Sequence, residues 1–374
     1  MLNYYREIIL EMTIPNSIFN NPNGSKMKLK SILSIFLLIV FFSGLGNSQV
    51  QLVGAGATFP TVIYSKWFDE YRNMTGVQIN YQAIGSGGGI RQIIEGTVDF
   101  GASDGPMSDK QLSEAKSKQG TDVLHIPTVM GAVVVSYHIS GVGKGLNLDS
   151  EILSNIFLGR TSMWDDPLIK KLNPKLNLPH KSILVAHRSD GSGTTFIFTD
   201  YLAKISREWG SKVGRGTSVN WPVGLGGKGN DGVAGLVKQT EGSIGYVELA
   251  YAIKNNIPYA NLKNQSGNFV EPTFSSVGAA AESASKNMPL DLRVSITDPP
   301  GKDSYPISGF TWLLIYQNMK NEAKAKAIVN FLKWSMGKGQ SLAAGLYYVP
   351  LPASVVKLCN NKINSITANG KKIK

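Results

Sequence analysis

One pattern recurs along the chain and constrains its fold more than any other. A short apolar strand runs into a loop of glycine and hydroxyl residues, and the loop opens an amphipathic helix. The first copy takes Gln51-Leu52-Val53 through Gly54-Ala55-Gly56-Ala57-Thr58-Phe59-Pro60 into a helix ending at about Asn73. That helix sets Tyr64, Trp67, Phe68 and Tyr71 at i, i+3, i+4 and i+7, a single apolar face. Pro60 suits a first helical turn, where its missing N–H costs nothing. In the second copy Val77, Ile79 and Tyr81 alternate as a strand, Gly85-Ser86-Gly87-Gly88-Gly89 follows, and Ile90, Ile93 and Ile94 fall at helical spacing. A further strand, Val98 to Ala102, delivers Ser103-Asp104-Gly105-Pro106 at its C-terminal end. The third copy leads from Ile183-Leu184-Val185-Ala186 through His187-Arg188-Ser189-Asp190-Gly191-Ser192-Gly193-Thr194 to a helix with Phe198, Tyr201, Leu202 and Ile205 on one face. Strands alternating with helices specify an α/β architecture.

The chain is long enough for two or three such domains at ~100–200 residues each. With 42% apolar and 17% charged residues among 374, it can bury a sizeable core, which excludes disordered and collagen-like classes. Lys28 and Lys30 precede an apolar run from Ile32 to Phe42, and small residues follow up to Ser48. The run is too short to span the ~20 residues of a membrane helix, so residues 27–48 read as a cleaved secretory signal. Residues 1–26 read as an upstream extension of the gene, and the exported chain starts near Gln49. No cysteine stands near the cleavage site, which argues against a lipid anchor. The single cysteine, Cys359, cannot form an intrachain disulfide or alone build a zinc site. Four His leave little for a metal centre, and no cofactor motif is complete. Residues 129–135 read as a buried strand, 255–305 as less regular, and Ala325–Trp334 as a helix. Lys357, Lys362, Lys371, Lys372 and Lys374 close the chain without an acid, and read as a solvated tail.

Helix N-termini offer unpaired N–H groups and a positive dipole end, so they take anions. Glycine lets a ligand reach the backbone, and Ser and Thr hydroxyls add donors. The loops at 56–60, 85–89 and 191–195 therefore form a cage of neutral donors if the fold gathers them. Arg188 supplies a fork of donors for a tetrahedral anion, and Asp190 could hold its guanidinium. Taken alone, that motif is equally a surface ion pair of small worth. Asp104 is the odd member. A carboxylate facing an anion repels it unless the ligand brings a proton: phosphate does at neutral pH, and sulfate does not. Taken alone, Asp104 is also an ordinary turn residue after a strand. Gly-x-Ser-x-Gly is absent at Ser86 and at Ser192, and Gly224-Leu225-Gly226-Gly227-Lys228-Gly229 lacks the remainder of a phosphate-binding P-loop.

Gly54-Ala-Gly-Ala-Thr-Phe-Pro60, Gly85-Ser-Gly-Gly-Gly89, Val98-Asp-Phe-Gly-Ala-Ser-Asp104, Arg188-Ser-Asp-Gly-Ser-Gly-Thr194, Trp221 to Gly232 and Gly245-Tyr-Val-Glu248 stand in order along the chain. Together they resemble the periplasmic phosphate-binding proteins of the phosphate-specific ABC transporter, from about residue 51 to Leu351-Pro352. The resemblance implies a periplasmic-binding-protein fold of type II: two α/β lobes joined by a hinge, with the ligand cleft between them. Residues 49–128 and 306–374 would form lobe I and residues 129–305 lobe II. It implies high-affinity capture of inorganic phosphate in the periplasm and delivery to membrane permease subunits with their ATPase. The ligands would be Thr58, Phe59 (through its backbone N–H), Ser86, Asp104, Arg188, Ser192, Gly193 and Thr194, with Asp190 holding Arg188. The Gly226–Gly232 segment would be lobe II scaffolding or the lip of the cleft rather than a ligand loop. A monomer without catalysis, cofactor or nucleic acid is implied. A secreted phosphatase and a receptor for another oxyanion are the competing readings, the first opposed by the missing nucleophile–base pair, the second by Asp104. His187 stands where some members carry a second Arg.

Overall fold

The computed structural model describes residues 50–285 and 288–373. The expected signal and upstream extension lie outside the described residues. The strands, in chain order, are β1 (Gln51–Gly56), β2 (Gln78–Ala83), β3 (Phe100–Ser103), β4 (Val123–His138), β5 (Asn147–Leu148), β6 (Leu184–Arg188), β7 (Leu225–Gly227), β8 (Ser243–Glu248), β9 (Asn261–Lys263), β10 (Phe269–Val270), β11 (Ser308–Tyr316), β12 (Asn318–Met319), β13 (Thr367–Ala368) and β14 (Lys371–Lys372). The α-helices are α1 (Thr61–Thr75), α2 (Ser86–Glu95), α3 (Asp109–Gln119), α4 (Ser150–Phe157), α5 (Pro167–Leu172), α6 (Gly193–Ile205), α7 (Arg207–Lys212), α8 (Gly229–Gln239), α9 (Leu249–Lys254), α10 (Phe274–Ser285), α11 (Glu322–Met336) and α12 (Ala353–Ile363).

Eight strands share one mixed sheet in the order β2-β1-β3-β11-β4-β8-β6-β7. β1 runs parallel to β2 and β3 at one end, and β6 runs parallel to β7 and β8 at the other. The long strand β4 joins the two groups. Its residues 123–132 pair antiparallel with β11, and 133–138 pair antiparallel with β8. All of β4 but His138 is buried, as the apolar run at 129–135 requires.

The amphipathic helices dock where their periodicity directs them. Trp67 and Tyr71 of α1 meet Phe331 and Trp334 of α11 at ring separations of 5.3–6.5 Å. In α6, Phe198 stacks on Tyr246 of β8 at 4.4 Å. Full burial of such side chains contributes roughly 1.5–3 kcal/mol each, and this fixes where the helix entrances stand.

Two expectations need correction. The basic C-terminus is not a solvated tail. Val355, Cys359 and Ile363 repeat every fourth residue and bury one face of α12, while Lys357 projects outward. Beyond it β13 pairs with β12 and β14, and Ile366 and Ala368 are buried. The stretch 255–305 is also more regular than its composition suggests, since it contains β9, β10 and α10.

Candidate functional site

The ends of β1, β3, β6 and β7 and the entrances of α1, α2, α6 and α8 gather at the C-terminal edge, where open α/β sheets collect ligands. β1 ends at Gly56 and leads through Thr58 and Phe59 into α1; β3 ends beside Asp104; β6 ends at Arg188; β7 leads into α8. Thr58, Phe59, Ser86, Asp104, Arg188, Ser192 and Thr194 are all buried. A surface cavity of about 220 Å³, lined by Asp99, Tyr316 and Lys324 among others, shares none of these residues.

The loops touch directly. Gly87 donates its backbone N–H to the Gly191 carbonyl at 2.8 Å. At Gly193 a Cβ would stand 2.4 Å from Ser86 Oγ and 2.6 Å from the backbone of Asp104, so only glycine allows this approach. Gly85 has a φ of +86° and lies where a Cβ would meet Asp190 Oδ2 at 2.3 Å. Ser86 and Gly193 open α2 and α6, and Ser192 caps α6 by accepting the Thr195 N–H at 3.0 Å. Among the described residues no protein acceptor takes the N–H of Phe59, Ser86, Gly193 or Thr194. Two phenols hold the first loop from behind: Tyr251 donates to the Thr58 carbonyl and Tyr348 to the Phe59 carbonyl, each at 2.6 Å.

Arg188 and Asp190 form the bidentate pair that their spacing allowed. Nε donates to Oδ1 at 2.7 Å and Nη2 to Oδ2 at 2.6 Å, with the Arg188 side chain 1% exposed. Burial pushes the Asp190 carboxyl up, but the Arg188 hydrogen bonds and charge, with the Gly229 N–H at 3.0 Å, outweigh it and hold it below the ordinary range. Arg188 Nη1 donates to Thr194 Oγ1 at 3.3 Å. Beside it His187 stacks on Trp221, with ring centres 4.9 Å apart.

Asp104 is 1% exposed. Its Oδ1 accepts the Thr311 hydroxyl at 2.7 Å, while Ser86 Oγ lies 3.5 Å from Oδ2 and accepts the Asp104 N–H at 3.1 Å. Burial raises its pKa to about 7, opposed by the Thr311 hydrogen bond, the Arg188 charge and Ser86. It is thus a carboxyl on the edge of ionisation with one oxygen committed and one facing the donors.

Two members of the cluster were not expected. Thr311 comes from β11, at the register shift between Thr311 and Trp312, and nothing local marks it. Asn230 lies within the Gly226–Gly232 segment read as scaffolding or lip, and the sequence did not single it out. It is fully buried at the start of α8 and donates Nδ2 to Thr58 Oγ1 at 2.9 Å and to Thr194 Oγ1 at 3.2 Å. Glu248, the last residue of the Gly245–Glu248 motif, is also buried; burial pushes its carboxyl well above the ordinary range, and its Oε1 has no hydrogen-bond partner among the described residues.

This geometry can be set beside known proteins. Residues 44–338 match the sequence model of the PBP superfamily domain. A phosphate-binding protein PstS of Xylella fastidiosa is 46% identical over 312 residues, 83% of this chain and 84% of its own length. The chain belongs to the PstS family. A PstS of the archaeon Methanocaldococcus jannaschii is 40% identical and covers 91% of this chain and 96% of its own. Among solved structures, the high affinity periplasmic phosphate-binding protein PfluDING, bound with phosphate, superposes with a TM-score of 0.66 at 22% identity, over 85% of this chain and 99% of its own. A phosphate-binding protein of Stenotrophomonas maltophilia does so at 0.63 and 18%, over 83% of this chain and 93% of its own. These last two likenesses establish a PBP-like fold. Among the described residues no group of three or more His, Cys, Asp or Glu is placed to hold a metal ion, and no helix is long and apolar enough to cross a membrane.

Proposed function

We propose that this chain is a receptor for inorganic phosphate that feeds an ABC importer. The observation that carries the reading is the composition of the cage: helix-entrance N–H groups, hydroxyls and Arg188 donate, and one carboxylate oxygen of Asp104, held only by a long 3.5 Å contact with Ser86 Oγ, accepts. A tetrahedral anion with one proton satisfies every one of those groups. Sulfate leaves the Asp104 oxygen facing another acceptor, at the cost of an unpaired buried charge. Thr58, Phe59, Ser86, Asp104, Arg188, Ser192, Gly193 and Thr194 are the proposed ligands, and Asp190 holds Arg188 in place. The reading is capture without turnover.

In the same reading residues 27–48 export the protein to the periplasm, where it acts as a monomer. Residues 49–128 with 306–374 form one lobe and 129–305 the other, closing on phosphate and opening against the permease and its ATPase. The junction where β4 exchanges β11 for β8 supports this division. The test is calorimetric titration of the mature chain, unfolded and refolded to strip bound ligand, with phosphate and sulfate in parallel. One-to-one phosphate binding without a sulfate response is expected. Equal response to both would remove Asp104 as the discriminating group, and response to neither would overturn the receptor reading.

A further inference from the structure

Asn230 makes four hydrogen bonds, and together they settle which way its neighbours point. The Glu248 backbone N–H donates to Asn230 Oδ1 at 2.9 Å. A backbone N–H can only donate, so the amide oxygen must face it and Nδ2 must face the two threonines. Thr58 Oγ1 then receives Asn230 Nδ2 at 2.9 Å and the Asn230 backbone N–H at 3.3 Å. Thr194 Oγ1 receives Asn230 Nδ2 at 3.2 Å and Arg188 Nη1 at 3.3 Å. A hydroxyl oxygen has two lone pairs. On both threonines both are taken, and the one valence left is the O–H proton.

We propose that Asn230 is a positioning residue that makes the Thr58 and Thr194 hydroxyls donors only, and so restricts the ligand's proton to the oxygen facing Asp104. This rests on the phosphate reading and deepens it. Two oriented hydroxyls favour a ligand whose other oxygens are bare. Dibasic phosphate fits: its single P–OH donates to Asp104 and its remaining oxygens accept. Monobasic phosphate brings a second P–OH, and within this cage it meets hydroxyl protons where it needs a lone pair. Asn230 also bridges chain segments far apart in sequence, one threonine following β1 and the other opening α6, so the same amide that orients the two hydroxyls sets their separation.

Other ionisable groups surround this point and are the same in every variant. They are Asp104 after β3, Arg188 with Asp190 after β6, His187 on β6, Asp231 on α8, Glu248 at the end of β8, and the phenols of Tyr246, Tyr251 and Tyr348. Their contribution cancels when the ratio of affinities at two pH values is compared between variants. A role confined to holding the fold would lower affinity by one factor at both pH values. A role in orienting the hydroxyls changes the ratio, because freed hydroxyls can rotate and accept the second P–OH.

The experiment is calorimetric titration of the refolded full mature chain with inorganic phosphate at pH 5.5 and pH 8, for wild type, Asn230→Ala and Asn230→Leu. Circular dichroism confirms that each variant is folded. Wild type is expected to bind more weakly at pH 5.5. Asn230→Ala is expected to lose about tenfold or more at pH 8, the size of a hydrogen bond to a charged partner, and appreciably less at pH 5.5. Asn230→Leu keeps the volume without adding a charge, and it removes the same amide from both threonines. It should show the same unequal losses as Ala, and it carries the test alone if Ala does not fold. Equal losses at the two pH values in both variants would overturn the inference while leaving the receptor reading intact. Failure of wild type to bind phosphate at either pH would overturn the receptor reading itself.

Discussion

The two sides of the cage solve different problems. On the side built from β1, β2, β3 and β11, Thr58, Phe59, Ser86 and Asp104 supply neutral donors and one acceptor, and burial lifts Asp104 to about 7 against the pull of Thr311, Arg188 and Ser86. On the side built from β6, β7 and β8, Arg188 brings the positive charge, yet Asp190 neutralises it through two hydrogen bonds of 2.7 and 2.6 Å. The formal charges of the second side cancel, and the first adds a carboxylate. A cage of this kind therefore holds an anion by oriented N–H and O–H dipoles in a dry interior, with net charge working against it. On the proposed reading, the first side decides which anion enters and the second how tightly it is held.

The largest break in this comparison comes from the charged side. Arg188→Ala should weaken phosphate binding by about 2–5 kcal/mol, because it removes a fork of donors and leaves Asp190 buried without its partner. Calorimetry checks this, and unchanged affinity would take Arg188 out of the site. The acceptor side is tested by stability rather than binding. An acid whose folded pKa lies above its ordinary value of 3.8 binds more protons in the native state between 3.8 and about 7. Its contribution is fully present below that window and is lost as pH rises through about 7. In the ligand-free protein Asp104→Asn should flatten this decline, becoming more stable than wild type at pH 8 by about 2–4 kcal/mol. Denaturant unfolding from pH 4 to 8 checks it; the buried Glu248 leaves a similar slope in both proteins. Parallel curves would mean that Asp104 ionises freely. The smallest effect belongs to the seam between the sides. Gly193→Ala sets a Cβ against Ser86 Oγ and the Asp104 backbone, and should cost roughly 1–3 kcal/mol of phosphate affinity by forcing the loops apart.

What the sequence revealed follows the same division. The strand–loop–helix units are local, so Thr58, Ser86, Asp104, Arg188 and Thr194 could all be placed from glycine spacing and helical periodicity. Asp190 was legible too, since a separation of two residues at a strand end lets a carboxylate turn back onto a guanidinium. Thr311 was not, because its role depends on which strand lies beside β3, a long-range choice that leaves no local mark. Asn230 had a usable signal. Leu225–Gly227 and the glycines before α8 form a fourth strand–loop–helix unit, with an amide where the others carry hydroxyls. The C-terminal lysines misled for the opposite reason: their charge obscured the fourfold spacing of Val355, Cys359 and Ile363 beneath them.

The buried Arg188–Asp190 pair has a kinetic consequence. Salt screens exposed charges beyond a Debye length of roughly 8–10 Å but hardly reaches a pair whose guanidinium is closed off from solvent. Lysines exposed among the described residues, such as Lys357, Lys371 and Lys372, act on anions still in solution. Arrival and retention are thus governed by separate parts of the molecule. Raising the ionic strength slows the first through the surface field and leaves the second, set by the cage, almost where it was.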